Sequence, residues 1–150
     1  EYLACGLECR VIFLDHLSIL LSGLDGDERR MIDTTMTKLR SLVERTGITL
    51  FLVSHLRRSN NDRTSHEEGG KVSLSQLRGS HSIAQLSDQV VALERDQQAE
   101  TDKDITTIRI IKNRYSGETG FAGQIKYDLS TSRFTEHETT NSVFNPSTDF

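Results

Sequence analysis

Apolar residues along the chain occur first as a short continuous run, then at helical spacing, and then as a second run. Residues 11–14 are all apolar and end at Asp15, and residues 48–53 form the second, largely β-branched run. Each run predicts a strand that is buried on both faces. Between the two runs, apolar residues recur at intervals of four, three and four, at Ile32, Met36, Leu39 and Val43. This spacing predicts an amphipathic helix, which Gly47 is suited to end.

A strand, an amphipathic helix and a second strand in this order predict a βαβ unit, so the fold class is α/β with parallel pairing. Residues 90–93, 105–111 and 121–127 predict three further strands. The segment 116–120, which contains two glycines, connects the last two of these strands and predicts a hairpin.

Two polar stretches separate the predicted strands. Residues 56–70 contain few apolar side chains and predict a long exposed loop, a kind of segment that is usually functional or disordered. Ser73 and Gln76 have the spacing of a capping box, which predicts a short helix that extends through Gln85.

Composition narrows the class of protein. The 150 residues carry 18 Lys and Arg against 22 Asp and Glu, a net charge of −4, so contact with a nucleic acid needs a local basic patch. The apolar runs are far shorter than the roughly 20 residues of a membrane span, and no membrane partner is expected. Cys5 and Cys9 lack a second pair at zinc spacing, which favours two thiols of a reducing cytosol. The chain opens at Glu1 without a signal peptide, and the missing initiator Met predicts a piece of a longer protein.

Polar side chains follow both apolar runs. Asp15 follows the first run, and Ser54 and His55 follow the second. Because the carboxyl ends of parallel strands meet at one sheet edge, we expect Asp15 and His55 to lie together. A carboxylate there can hold Mg²⁺, and a histidine can hydrogen-bond a terminal phosphate and report its loss to the following loop. The alternatives are a loop-ordering aspartate and a solvated histidine.

Basic residues mark two loops. Arg57, Arg58 and Arg63 lie in the long polar stretch and are suited to follow a phosphodiester backbone. Arg78 and Gly79 combine a cation with a residue that permits close backbone approach, a pair suited to phosphate contact. Solvated charged loops are the alternative interpretation of both.

A third basic pair, Lys112 and Arg114, follows the predicted strand 105–111. Two cations at a spacing of two lie on the same side of an extended chain, where they can reach a γ-phosphate across an interface. The alternative is a solvated strand edge.

Taken together, these segments resemble the C-terminal helicase part of the T-seven-type bacteriophage replicative helicase–primases, in the DnaB-like superfamily of ring helicases. The resemblance covers residues 2–134 and returns at residues 148–150. Its specificity comes from many matches in order and at near-constant spacing. The matching segments are residues 11–16, 36–39, 66–69, 77–80, 85–88, 92–95 and 112–114.

The resemblance implies a RecA-like P-loop NTPase core that is partial, from the Walker B half onward, with a mostly parallel sheet and a C-terminal hairpin. It divides the chain into a helicase domain over residues 1–135 and a flexible, mildly acidic tail over residues 136–150. The implied activity is that of a replicative DNA helicase. It couples NTP hydrolysis to translocation on single-stranded DNA and to duplex unwinding, as a hexameric ring in the cytoplasm of an infected bacterial host. The implied cofactors are Mg²⁺ and ATP or another NTP or dNTP.

The resemblance also implies catalytic roles. Asp15 corresponds to the Walker B aspartate that positions Mg²⁺. His55 corresponds to the γ-phosphate sensor, with Gln85 nearby on the same edge. Arg114 corresponds to the arginine finger that reaches a neighbouring subunit's nucleotide, and Lys112 is its companion.

Binding roles follow from the same resemblance. Arg95 and Tyr127 correspond to residues that flank the nucleotide base. Phe150, at the end of the tail, is expected to contact the replicative DNA polymerase. The residues expected in or beside the central DNA-binding loops are Arg57, Arg58, Arg63, Arg78 and Gly79.

The sequence departs from the family pattern in its phosphate-binding parts. It contains no Gly-x-x-x-x-Gly-Lys-Ser/Thr motif, no match to the upstream catalytic glutamate and no zinc-binding primase domain. We therefore expect these 150 residues to lack NTPase activity by themselves. The alternative function is a non-motor module for single-stranded-DNA binding or recombination on a RecA-like scaffold, which needs the basic loop but no Arg114 acting in trans.

Overall fold

The computed structural model describes residues 1–21, 26–56, 67–77 and 81–138. The chain divides into two compact units. We call residues 1–58 with 73–88 the parallel unit and residues 59–72 with 89–150 the antiparallel unit, after the strand pairing in each. None of the helices within the described ranges combines the length and the apolar character needed to cross a membrane.

The parallel unit is built around the predicted βαβ arrangement. Strands β1 (Val11–Leu14) and β2 (Thr49–Leu52) pair in parallel and in register along their whole length. Helix α2 (Glu28–Thr46) connects them. Its first turn is capped by the Asp27 side chain, and it ends at Gly47, whose φ of 67° is readily adopted only by glycine. The amphipathic helix and the parallel strand pair are therefore confirmed.

Three helices enclose the core of the parallel unit. Helix α1 (Leu17–Leu21), which the apolar pattern did not predict, and helix α3 (His81–Leu86) pack with α2 around a cluster of buried side chains. The buried members are Leu17, Leu21, Ile32, Met36 and Ile83.

The core covers only one face of the two strands, so the prediction that β1 and β2 are buried on both faces is wrong. Leu52 packs against the helical core, whereas exposed and half-buried residues alternate along both strands. On the uncovered face, the rings of Phe13 and Phe51 stack with centroids 4.6 Å apart, and the two residues are 73% and 50% exposed. The apolar runs indicated strands but not how many faces the described helices cover.

The predicted helix from the capping box is also corrected. The side chain of Gln76 accepts a hydrogen bond from the Ser73 N–H at 2.8 Å, as a capping box requires. The helix is a single 3-10 turn, Leu74–Gln76, because the next residue, Leu77, is extended and forms a bridge with Leu56. Helix α3 begins separately at residue 81.

The antiparallel unit contains a four-stranded sheet in the order β3-β4-β5-β6. Its strands are β3 (Gln89–Glu94), β4 (Ile105–Asn113), β5 (Gly120–Asp128) and β6 (Arg133–Glu136). The three predicted strands and the hairpin between β4 and β5 are confirmed, and β6 was not predicted. A mostly parallel sheet is not confirmed for the described residues, because the short connections between these neighbouring strands impose antiparallel pairing.

Candidate functional site

Asp15 and His55 meet at the carboxyl ends of β1 and β2. Asp15 directly follows β1, and His55 lies three residues beyond β2. The pairing continues past the strands, since the Val53 N–H donates to the Leu14 carbonyl at 2.9 Å. The ring of His16, next to Asp15, lies 4.2 Å from the ring of His55 between centroids. The prediction that Asp15 and His55 share one edge of a parallel sheet is confirmed.

The surroundings of Asp15 suit a cation that arrives with a nucleotide. Its side chain is exposed, and no hydrogen bond or ion pair engages the carboxylate within the described part of the chain. Magnesium is usually held by one or two carboxylates together with substrate phosphates and water. Among the described residues, no group of three or more His, Cys, Asp or Glu side chains could hold a metal ion by itself. A single accessible carboxylate at a strand end fits a site in which the protein and the nucleotide phosphates bind Mg²⁺ together.

Gln85 lies on α3 of the same unit, and its side chain is exposed. The end of α3 is tied to α2 by Arg40, whose Nη1 donates to both carboxylate oxygens of Asp88 at 2.9 and 2.8 Å. Arg40 also donates from Nε to Glu44 at 2.7 Å, and the bonds to Glu44 and Asp88 raise the pKa of Arg40. Helix α3 is therefore anchored, and a position for Gln85 beside Asp15 and His55 stays a prediction.

Strand register in the antiparallel unit determines the sheet face on which Tyr127 lies. Glu94 pairs with Thr107, which pairs with Gln124, so these three side chains share a face. Tyr127 is three residues beyond Gln124 within β5, so alternation places it on the opposite face. Arg95 directly follows the last residue of β3, so alternation does not determine its side. Because β3 and β5 are two apart in the sheet, the two residues belong to strands separated by about 10 Å.

Arg95 and Tyr127 are also joined to consecutive residues before β4. The Nε of Arg95 donates to the carbonyl of Lys103 at 2.6 Å. The backbone N–H of Tyr127 donates to the carbonyl of Asp104 at 2.9 Å. These two bonds anchor both residues to the same short segment.

The turn between β5 and β6 adds a second ring beside Tyr127. Asp128 accepts hydrogen bonds from the Ser130 hydroxyl at 2.7 Å and the Thr131 hydroxyl at 2.8 Å, and these bonds hold the pKa of Asp128 below its usual value. The turn brings Phe134 opposite Tyr127, with ring centroids 5.0 Å apart. The face that carries Tyr127 is therefore partly aromatic.

Lys112 and Arg114 lie at the end of β4: Lys112 precedes its last residue, Asn113, in the sequence, and Arg114 follows it. Lys112 is half-buried within the strand, and Arg114 is exposed in the turn that follows Asn113. The Asn113 side chain orders this turn: its Oδ1 accepts from the Tyr115 N–H at 3.1 Å, and its Nδ2 donates to the Ser116 hydroxyl at 2.8 Å. Since the strand ends before Arg114, strand alternation does not determine whether the two cations share a side.

A partly buried ion pair in this unit was missed by sequence reasoning. Arg109 donates from Nε to Glu94 at 3.2 Å, forms a second bond to the same carboxylate, and donates to the Val72 carbonyl at 2.6 Å. The Val72 N–H in turn donates to Glu94 at 2.6 Å. The Arg109 side chain is 22% exposed and that of Glu94 is 7% exposed. The available signal was one cation within the apolar stretch from Ile108 to Ile111.

The ionisation of Glu94 depends on these partners. Burial raises the pKa of the Glu94 carboxyl, but the hydrogen bonds from Arg109 and from the Val72 N–H together outweigh it. The net pKa of Glu94 lies below its usual value, so the carboxylate is charged at neutral pH.

Residues 67–72 lie alongside residues 94–97. The Gln97 N–H donates to the Glu67 carbonyl at 2.9 Å, and Glu68 forms an antiparallel bridge with Asp96. Together with Val72, these contacts anchor the chain that follows the basic stretch next to Arg95. The basic stretch itself, with Arg57, Arg58 and Arg63, lies outside the described residues, as do Arg78, Gly79 and Phe150.

Comparison with known proteins identifies the relatives of this chain. Residues 4–136 match the family described as DnaB-like helicase C-terminal domain. The chain is also 44% identical over 131 residues to the DNA helicase/primase of Enterobacteria phage T3. That alignment covers 87% of this chain and 23% of the phage T3 protein, so the chain spans less than a quarter of the length of this relative.

Proposed function

The chain belongs to the DnaB-like helicase C-terminal domain family, and from that premise we propose that it forms part of an NTP-dependent replicative DNA helicase. The whole protein, meaning the polypeptide that joins these residues to a phosphate-binding loop, assembles as a hexameric ring. It couples NTP hydrolysis to translocation on single-stranded DNA and to duplex unwinding. The relative of phage T3 carries the name DNA helicase/primase, which supports a function in phage DNA replication.

The observation that carries this proposal is the shared edge of β1 and β2. An exposed carboxylate, Asp15, and an imidazole, His55, lie together where ligands bind to parallel sheets, within a chain whose family match spans residues 4–136. The alternative of a non-motor DNA-binding module has no support from either comparison, because the matching family and the matching phage T3 protein are both described as helicases.

Phosphate chemistry is assigned to the two strand ends. Asp15 would hold Mg²⁺, which neutralises charge on the β- and γ-phosphates and orients them. His55 would hydrogen-bond the γ-phosphate, and its position beside the long polar stretch lets it report whether that phosphate is present. Gln85 would act at the same edge.

Arg114 would act on the nucleotide of a neighbouring subunit. A guanidinium in that position stabilises the charge on the equatorial oxygens of the transferred phosphoryl group. Its exposure in a turn ordered by Asn113 supports a role across a subunit interface. Lys112 would contribute a second positive charge.

The nucleotide base would lie between Arg95 and Tyr127. A guanidinium plane and a phenol ring both stack well on an aromatic base. Their bonds to the consecutive residues Lys103 and Asp104 support this assignment. Stacking without base-specific hydrogen bonds favours no particular base, so the site suits ATP or another NTP or dNTP.

DNA contact is assigned to the basic stretch with Arg57, Arg58 and Arg63 and to the segment with Arg78 and Gly79. These residues would contact the phosphates of single-stranded DNA inside the ring without reading its sequence. Residues 67–72, which follow the basic stretch, are joined to the strand that precedes Arg95. This connection supports coupling between the nucleotide and the DNA.

The tail would connect the helicase to other replication proteins. Residues 136–150 are predicted to be flexible and mildly acidic, although the first of them, Glu136, is the last residue of β6 and pairs with Ile125. Phe150 would dock on the replicative DNA polymerase. The proposed location is the cytoplasm of the infected bacterial host. Deletion of Phe150 is expected to weaken polymerase binding and to leave translocation unchanged, and equal polymerase binding by both forms would contradict the assignment.

The proposal is tested by Asp15→Asn in the whole protein. Loss of the carboxylate should abolish Mg²⁺-dependent NTP hydrolysis, measured as phosphate release with and without single-stranded DNA. Asp102→Asn, at an exposed turn position, is the matched control and should hydrolyse normally. A normal rate in Asp15→Asn would contradict the proposal.

A second test uses the 150 residues alone. DNA-stimulated hydrolysis by these residues would contradict the expectation that they need a phosphate-binding loop.

A further inference from the structure

Two imidazole rings meet at the carboxyl edge of β1 and β2. The centroids of His16 and His55 are 4.2 Å apart, and the ring planes are inclined by 72°. Tilted, edge-on contact is a favoured arrangement for aromatic pairs. His16 follows Asp15 in the chain, so it belongs to the same edge but has no role in the proposed chemistry.

His16 is held from both sides by backbone structure. Its carbonyl accepts a hydrogen bond from the Ile19 N–H at 3.1 Å, at the start of α1. The next residue, Leu17, donates to the Val53 carbonyl at 3.0 Å, and its side chain is 2% exposed in the helical core. The backbone of His16 is therefore fixed to both strands and to the core.

The Nδ1 atom of His16 is buried, and no group within the described ranges forms a hydrogen bond with it. Burying a ring nitrogen without a partner is unfavourable, so such atoms in a folded protein need an explanation. The burial of Nδ1 is explained if the His16 ring has a function that requires it to lie at this position. Unfavourable local features of this kind are expected at functional sites.

His55 has the opposite character. Its side chain is exposed, and within the described residues no hydrogen bond or ion pair engages its ring. An exposed histidine samples several rotamers, and its terminal torsion is especially soft. Among the described residues, the ring contact with His16 is therefore the interaction that can restrict the orientation of the His55 side chain.

We propose that His16 is a positioning residue for His55. The ring of His16, whose backbone is fixed next to the core, holds the imidazole of His55 in the orientation in which it meets the γ-phosphate. The free energy of the phosphate contact is then not reduced by the cost of ordering the His55 ring. The inference rests on the proposed role of His55 as a phosphate sensor. It extends that role to a residue that contacts the sensor and not the nucleotide.

The test measures how strongly the whole protein distinguishes a nucleoside triphosphate from the diphosphate. The readout is the dissociation constant of the diphosphate divided by that of the triphosphate. Both constants are obtained by displacement of a fluorescent nucleotide in the presence of Mg²⁺. His16→Leu, which fills the space without an aromatic ring, should lower this ratio about two- to tenfold, the worth of one aromatic pair. His16→Phe, which keeps the ring, should stay within about twofold of the unmodified protein. His137→Ala, at a half-buried histidine of the other unit, is the control and should leave the ratio unchanged.

A double variant separates positioning from a general structural effect. If His16 acts through His55, adding His16→Leu to His55→Ala should lower the ratio no further, whereas independent effects would multiply. Independent effects would overturn the inference, as would unchanged ratios in His16→Leu. If His55→Ala alone leaves the ratio unchanged, the sensor role in the proposed function fails, and this result is distinct from a failure at His16. Thermal unfolding of each variant verifies that the proteins compared are folded.

Discussion

The two units of the chain bring their candidate functional residues together in different ways. In the parallel unit, Asp15 and His55 lie beyond the ends of two strands and meet because parallel strands end at a common edge. In the antiparallel unit, Arg95 and Tyr127 are joined by hydrogen bonds to the consecutive residues Lys103 and Asp104, and Tyr127 lies on a face of the sheet. Residues beyond strand ends can respond to the loops that follow them, whereas residues on a sheet face are held by the strand pairing. The first arrangement suits a sensor and the second suits a binding platform.

The units also differ in what stabilises them. The parallel unit has a core of apolar side chains contributed by three helices. Among the described residues of the antiparallel unit, the buried apolar side chains are Val72 and Ala92, and the Glu94–Arg109 pair is the most buried ion pair. Stability of the antiparallel unit should therefore depend on charge, and that of the parallel unit on apolar packing.

The largest expected effect comes from the turn at the end of β4. Arg114→Ala in the whole protein should lower the rate of NTP hydrolysis by on the order of 10³ or more, because an arginine finger stabilises transition-state charge. Nucleotide affinity should remain largely unchanged, and mixed rings of variant and unmodified subunits should lose more activity than their variant fraction. Arg30→Ala, an exposed arginine on α2, is the control. A normal hydrolysis rate would assign Arg114 to the solvated surface.

A second effect tests whether charge stabilises the antiparallel unit. Arg109→Ala should lower the free energy of unfolding by about 1.5–3 kcal/mol, because the Glu94 carboxylate, whose side chain is 7% exposed, loses its charged hydrogen-bond partner. Arg45→Ala, which breaks an ion pair between side chains that are 62% and 63% exposed, should cost at most about 1 kcal/mol. Urea unfolding followed by circular dichroism measures both. Equal losses of unfolding free energy in the two variants would contradict the proposal that charge stabilises the antiparallel unit.

A smaller effect concerns the basic stretch between residues 56 and 67. Replacing Arg57, Arg58 and Arg63 together by Ala should weaken binding of the whole protein to single-stranded DNA of any sequence. The slope of log affinity against log salt should fall by about 2, at roughly 0.7 per phosphate contact. The control replaces three exposed cations of α2 by Ala and should leave the slope unchanged. These are Arg29, Arg30 and Lys38. An unchanged slope in the first variant would leave Arg78 as the main candidate for backbone contact.

The smallest effect is a pH dependence. The pKa of Glu94 lies below its usual value in the folded protein, so the folded state binds this proton more weakly than the unfolded chain. The resulting stability is fully present above the unfolded pKa of about 4.3 and is lost as the pH falls through the folded pKa. Glu94→Gln should remove this part of the acid dependence, measured by urea unfolding from pH 6 downward. An identical acid dependence in both proteins would show that Glu94 does not contribute it.

Much of the candidate site could be predicted because its residues follow local patterns. Asp15 was found from an apolar run that ends in a carboxylate, and its proximity to His55 followed from one parallel pair. The resemblance to ring helicases supplied Arg95 and Tyr127, and no sequence pattern indicated that both are bonded to the segment just before β4. The Glu94–Arg109 pair was missed, because its partners are 15 residues apart and its third member, Val72, is 37 residues from Arg109.

The sequence by itself determined the local elements of this protein: the run at residues 11–14, the spacing within α2 and the short connection between β4 and β5 each depend on neighbouring residues. Only the tertiary structure decided which face of β1 and β2 is covered, and that His16 meets His55. Side-chain periodicity indicates which residues lie on a common face of an element. It contains no information on what packs against that face, because packing depends on residues far away in the sequence.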